Sequence, residues 1–269
     1  LEQSINRAKK EKKRMKKITL YKTFGSMAAV LAIVLILPNT SQTAAAAMQQ
    51  IPLLGNLFKV VTVRDYQVDE ERNSANVKVP QVEVAATDEN ADSDTVEQAK
   101  VSADAINFDI NEETNKLIEE FKDSLKNEEG YQSLYIDSNV KLDTDNLFSL
   151  ELILYQGAGS GYEQHKHYTV DKKTGKELSL KDLCGDDYID TISEEIKTQM
   201  REQMAADETV QYWLDDPEVE EWNFDKIAED QDFYVNEDGH IVVCFNEYDV
   251  APGSMGCVEF TLNETANVK

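Results

Sequence analysis

A stretch of 25 residues without a single charge, Thr23 to Ala47, divides this sequence into two regimes of opposite sign. Residues 1–22 carry nine Lys/Arg against two Glu, a balance of +7. The whole chain stands at −25, so everything from Met48 onward carries −32. Within the uncharged stretch Phe24–Leu37 is almost wholly apolar, and counted from Ile18 the run is 20 residues long with Lys22 as its one interruption. A helix crossing the hydrocarbon core needs about 20 apolar residues, and a lysine near the end of such a run can reach the headgroups. Basic residues flank only the N-terminal side, so residues 1–22 are expected in the cytoplasm, 23–38 as a transmembrane helix, and the remainder outside the cell.

The same stretch ends in Ala44-Ala-Ala-Ala47. Ala45 and Ala47 are the small residues at −3 and −1 of a signal-peptidase-like cut before Met48. A removed secretory leader and a permanent single-pass anchor both fit. The long basic region favours an anchor that also carries a scissile joint, with 39–60 as a juxtamembrane segment. No Cys follows the apolar run, which excludes a lipid-anchored leader. Ile51–Val61 places Leu53, Leu54, Leu57, Phe58 and Val61 at helical spacing, as either an amphipathic turn at the membrane interface or ordinary core contact on the domain.

The acidic outer part excludes a nucleic-acid binder, because phosphate binding needs a basic footprint. Three cysteines in 269 residues exclude a disulfide-stapled scaffold. Alternation and β-branched residues predict strands at Val60–Val68, Asn76–Val84, Tyr131–Val140, Leu147–Tyr155, Tyr162–Val170 and Phe233–Val235, and a pair at His240–Tyr248 and Cys257–Leu262. Helices are predicted over Phe108–Glu129, with Asn111 as N-cap, over Asp186–Ala206 and near Val219–Ala228. Ala85–Asp104, acidic and poor in apolar residues, reads as a loop. The expectation is an α+β fold: extracellular antiparallel sheets with packed helices, preceded by a single transmembrane helix. Residues 61–145 would form the first part of the ectodomain and 146–269 a C-terminal α+β ligand-binding domain.

Three constellations bear on chemistry. Glu163, His165 and His167 alternate and leave one face of a strand. Two imidazoles and a carboxylate are zinc-ligand types, but no fourth ligand can be named, so a solvated polar strand face is expected, with no metal and no cofactor. Cys244 and Cys257 fall on the two strands of the last hairpin and could form a disulfide if the register sets them opposite each other. The loops Gly157–Gly161 and Pro252–Gly256 are uncharged and rich in small residues within a very acidic domain, and read either as contact tips for a basic partner or as plain sheet turns. No nucleophile elbow, zinc-protease helix or phosphate loop is present, so a binding or signalling protein is expected and no catalytic residue is assigned.

Longer segments carry a family resemblance. Tyr168–Leu183 (YTVDKKTGKELSLKDL), Phe233–Gly256 (FYVNEDGHIVVCFNEYDVAPGSMG) and Glu259–Leu262 resemble the extracellular domain shared by RsiV-type anti-sigma factors and PdaC-type peptidoglycan deacetylases. Ala45–Gly55 resembles the juxtamembrane segment of the RsiV type, and the deacetylase catalytic domain is absent. The resemblance implies a membrane protein that sequesters an extracytoplasmic-function sigma factor through its cytoplasmic segment, of which residues 1–22 would be the last part. It implies lysozyme as the external ligand, met by Gly159, Ser160, Gly161 and Tyr162 and by Pro252, Gly253, Ser254 and Met255. It also implies a cut after Ala47 by signal peptidase, then a second by an intramembrane protease, eased by Gly25, Ser26, Ala28, Ala29 and Ala32. A secreted or anchored cell-wall-binding module without a signalling role is the alternative.

Overall fold

The computed structural model describes residues 57–70, 72–85, 93–126 and 130–266, all within one compact unit spanning Gln50–Lys269. The expected transmembrane helix, and Ala45, Ala47 and Met48, lie outside the described residues. Among the described residues no helix is long and apolar enough to cross a membrane.

Two sheets organise the domain. The first has strands β1 (Phe58–Asp69), β2 (Asn73–Val84), β3 (Gln132–Asp143), β4 (Leu147–Ala158) and β5 (Gly161–Asp171) side by side in chain order. All neighbours are antiparallel except β2 and β3, which pair in parallel. A parallel pair needs a crossover, and helix α1 (Ser93–Leu125) supplies it. The second sheet is an antiparallel meander of β6 (Phe233–Val235), β7 (His240–Phe245) and β8 (Val258–Thr265), covered by α2 (Leu180–Cys184) and α3 (Tyr188–Ala206). The boundary expected at 145/146 is corrected: it falls in the β3–β4 hairpin, whose strands pair from Gln132↔Ala158 to Asp143↔Phe148.

Each sheet buries an aliphatic face against a helix. Leu150, Leu152 and Leu154 of β4 and Leu134 and Ile136 of β3 meet Ile106, Ile110, Ile118 and Phe121 of α1. Each such side chain contributes about 1.5–3 kcal/mol by leaving water. Ile192, Ile196 and Met200 of α3 meet Ile241, Val243, Phe260 and Leu262 in the same way.

Helix α1 begins fifteen residues before the predicted Phe108, inside the stretch expected to be a loop. Its buried stripe there is Ala99, Ser102 and Ala103, small residues that a search for large apolar periodicity passes over. The stretch near Val219–Ala228 forms only a short 3-10 turn, Glu220–Trp222. Its backbone is drawn instead to neighbouring chain, as where Phe224 N–H donates to Trp213 O at 2.7 Å.

Mid-helix Asn107 has a visible task. Beyond Val77 strand β2 has no β3 partner, and the Asn107 amide accepts from Val82 N–H at 2.7 Å and donates to Val82 O at 2.8 Å. Asn107→Leu leaves both backbone groups without a partner, at about 1–3 kcal/mol for each lost hydrogen bond. A drop of at least about 2 kcal/mol in chemical denaturation is therefore expected, against under 0.5 kcal/mol for a control at an exposed α1 position such as Lys100→Leu.

Candidate functional site

Strand pairing assembles a polar cluster on the face of the first sheet opposite α1. Glu151 of β4 lies across from His167 of β5 and from Asn139 of β3. His165 is the diagonal neighbour of Glu151 on the same face. Glu151 is the only charged residue in the otherwise uncharged run Leu147–Gly161. A bulge between Val140 and Leu142 adds Lys141 to the group. Strand β6 lies against β3, β4 and β5 and covers this face with Tyr234, whose ring stacks on His167 at 4.9 Å and lies 4.3 Å from the Lys141 ammonium. The face expected to be solvated is thus buried at its centre, where the His167 side chain is 0% exposed and that of Glu151 5%, while Glu163 at its outer end stays 44% exposed.

One carboxylate oxygen is the focus. Glu151 Oε1 lies 3.3 Å from His165 Nδ1, 3.4 Å from His167 Nε2 and 3.4 Å from Lys141 Nζ. Its other oxygen accepts from the Asn139 amide at 2.8 Å. Each imidazole has a second carboxylate on its far nitrogen: Asp232 at 2.7 Å from His167 Nδ1 and Glu163 at 2.9 Å from His165 Nε2. Tyr234 O–H donates to Glu259 of β8 at 3.0 Å.

These contacts set the charges. Burial acts to raise the Glu151 carboxyl, but His165, His167, Asn139 and Lys141 together hold it well below the usual carboxylate range. Burial acts to lower the His167 imidazolium, but Asp232 and Glu151 outweigh it and hold it up at about 9. His165 is raised as well: against the opposing effect of burial, Glu151 and Glu163 favour its charged form. Carboxylates on both nitrogens of both rings call for cations between them.

Side chains also close the open edge of β5. The N–H groups of Glu163, His165 and His167 donate to Glu247, Asn246 and Asp232 at 2.9, 2.7 and 2.9 Å. Asp232 therefore holds His167 by backbone and ring together. Farther along, Leu178 N–H donates to Thr169 O. An edge strand closed in this way cannot pair with another chain.

The two neutral loops meet at one corner. Gly157 and Gly161 close the β4–β5 hairpin, and a methyl on Gly161 would stand 2.5 Å from the Tyr155 hydroxyl. Tyr162, next in β5, stacks with Tyr248 at 6.3 Å. Gly253, which opens the Gly253–Met255 turn, is so close beneath Tyr248 that a methyl there would come within 2.3 Å of its ring. Gly159 and Ser254 are exposed, and Ser160, Gly161, Tyr162, Pro252, Gly253 and Met255 are half-buried. Glu163, Glu247 and Asp249 flank the corner, and burial together with the nearby Asp249, Cys257 and Glu247 keeps the Tyr162 hydroxyl protonated.

The disulfide expectation is corrected. The β7–β8 register sets Cys244 opposite Glu259 and Phe245 opposite Val258, so Cys244 and Cys257 are not facing residues, and both are free thiols. Cys257 lies instead against Glu163 O at 3.6 Å. Sequence reasoning found Glu163, His165 and His167 but missed Glu151, Asp232, Asn139, Lys141, Tyr234 and Glu259. The lone charge of Glu151 among the leucines of β4 was the signal that could have found the focus.

Comparison with known proteins places this architecture. A family model described as a protein of unknown function, DUF3298, matches residues 181–263, from α2 through most of β8. A solved DUF3298 protein, PA4972 from Pseudomonas aeruginosa PAO1, shares the fold with a TM-score of 0.51 at 16% identity, covering 79% of this chain and 91% of that one. A second, BF2082 from Bacteroides fragilis NCTC 9343, gives a TM-score of 0.44 at 19% identity over 76% and 89%. The class is an α+β fold shared with PA4972, with a DUF3298 match confined to residues 181–263. Anti-sigma-V factor RsiV of Bacillus subtilis strain 168 is 34% identical over 260 residues, covering 96% of this chain and 86% of that protein. The chain belongs to the RsiV family.

Proposed function

We propose that this chain is a single-pass membrane anti-sigma factor with a receptor outside the cell. Its basic N-terminal segment takes part in holding an extracytoplasmic-function sigma factor on the cytoplasmic side. Its outer domain receives lysozyme at the corner formed by Gly159–Tyr162 and Pro252–Met255. Occupancy opens the joint after Ala47 to signal peptidase, and an intramembrane protease then cuts the remnant and releases the sigma factor. The observation that carries the reading is the reach of the RsiV likeness. At 96% of the chain it takes in basic stub, uncharged stretch and outer domain together. Charge supports it: animal-type lysozymes are basic, and a −32 partner raises their encounter rate in low salt. The packed tyrosines and small residues of the corner offer the close contact that affinity needs.

The test follows the size of the full chain in cells. Added lysozyme is expected to convert it within minutes to a product beginning at Met48, and Ala47→Phe, which puts a bulky residue at −1, is expected to block that conversion. Cleavage at one rate with or without lysozyme would overturn the receptor reading and favour a cell-wall-binding module.

A further inference from the structure

The buried cluster has the donor set and spacing of a metal centre. We propose that Glu151, His165, His167 and Glu259 form a binding site for a divalent transition-metal ion of the zinc type, joining the two sheets. One ligand atom from each lies within 4.8 Å of the others.

Spacing is the first argument. Charge-assisted N–H···O bonds run about 2.7–2.9 Å, as His167 to Asp232 and His165 to Glu163 do at 2.7 and 2.9 Å. The contacts converging on Glu151 Oε1 are longer, 3.3 Å from His165 Nδ1 and 3.4 Å from His167 Nε2. With Zn–N and Zn–O bonds of about 2.0–2.1 Å, the edge of a tetrahedron is about 3.3–3.4 Å. Both imidazole nitrogens already stand from Glu151 Oε1 at the separation of ligands around a common ion.

Outer contacts are the second argument. A metal-bound imidazole usually donates its other ring N–H to a carboxylate, which fixes the tautomer and aims the free nitrogen. Both rings have that arrangement, through Asp232 and Glu163. Asn139 fixes the second oxygen of Glu151, and Tyr234 fixes Glu259. Glu259 is exposed, so an ion has a route in from solvent. Two overlapping groups use a thiol, Glu163–His165–Cys257 and His167–Asp232–Cys244. Either would spend an outer carboxylate as a ligand, and the thiols are engaged with the carbonyls of Glu163 and Val242. Lys141 is the opposing charge, 3.4 Å from Glu151 Oε1.

The full chain, kept in mild detergent and stripped with chelator, is titrated with Zn²⁺ or Co²⁺ in excess Mg²⁺, which occupies the general acidic surface. One ion per chain is expected, with the visible absorption bands of tetrahedral Co²⁺. His165→Ala is expected to weaken binding at least about a hundredfold, and Asp232→Asn, acting through His167, about 10–100-fold. Lys141→Met is expected to tighten it about tenfold by removing the repelling charge. Should His165→Ala fail to fold by circular dichroism, Glu259→Gln, at an exposed ligand, takes its place with an expected loss of about tenfold. No uptake in excess Mg²⁺, uptake indifferent to these substitutions, or a thiolate-to-cobalt charge-transfer band abolished by Cys244→Ser or Cys257→Ser would overturn the assignment.

Discussion

Glu151→Ala is expected to destabilise the domain by about 3–5 kcal/mol, the cost of breaking a buried charge network from one side. Its side chain is 5% exposed and is met by Lys141, His165 and His167. Truncation leaves the Asn139 amide without its acceptor and three cationic groups short of an anion beneath the Tyr234 ring. Glu151→Gln retains the shape and an acceptor for Asn139, so about half the loss is expected; equal losses would show that the charge is not what matters. In chelator-treated protein the same network gives a pH window. The groups facing His167 are Glu151, His165 and Lys141 from the first sheet, Asp232 ahead of β6, and Tyr234, Cys244 and Glu259 from the second sheet. His167 is raised from 6.5 to about 9, so its contribution is complete below about pH 6.5 and is lost as pH climbs through 9. Glu151 is lowered from 4.5, so its contribution is complete above about pH 4.5 and is lost as pH falls. Thermal melts should show a plateau between about pH 4.5 and 6.5, with a decline on the alkaline side that Glu151→Gln shrinks.

The strands were legible because their signal is local. Val77 and Val79, the leucines of β4 and the alternating β5 each carry period two within a few residues, and the glycine turn at 157–161 marks where β4 must reverse. Burial of the His face was not legible, because alternation reports which residues share a face and not what lies upon it. The partner of His167 is 65 residues away in Asp232, and the covering ring comes from β6, a strand of three residues. The cysteine pairing depended on a register that a sequence leaves open: an offset of two residues sets Glu259, not Cys257, across from Cys244. The neutral loops were readable as loops, whereas their meeting through Tyr162 and Tyr248 is a product of the tertiary fold. The first half of α1 was hidden for another reason. Its docking surface is a tight turn, and a close approach of backbone to backbone selects small residues rather than large ones.

That close approach makes Gly175, among the described glycines, the position where a single methyl should do the most damage. The turn after β5 is built by Asp171, whose carboxylate accepts from Lys173 N–H and Thr174 O–H at 2.8 Å each. It ends on Gly175 at φ +71°. Helix α1 sits directly on it: Ser102 Oγ donates to Gly175 O at 2.7 Å and Thr95 Oγ1 to Lys173 O at 3.0 Å. A methyl on Gly175 would stand 2.5 Å from both Ala99 N and Thr95 O, backbone atoms of the helix that cannot swing aside. Gly239 has a similar φ, +83°, with nothing within 4 Å of such a methyl. Gly239→Ala therefore measures left-handed strain alone, about 1–2 kcal/mol. Gly175→Ala adds the displacement of α1, which overpacking data put at about 1–3 kcal/mol more, for a total of about 2–5 kcal/mol. Amide exchange should quicken over residues 93–103 in Gly175→Ala and not in Gly239→Ala. Equal costs for the two, with no change in exchange, would mean that the start of α1 does not bear on this turn and that the small-residue stripe Ala99, Ser102 and Ala103 has no docking role.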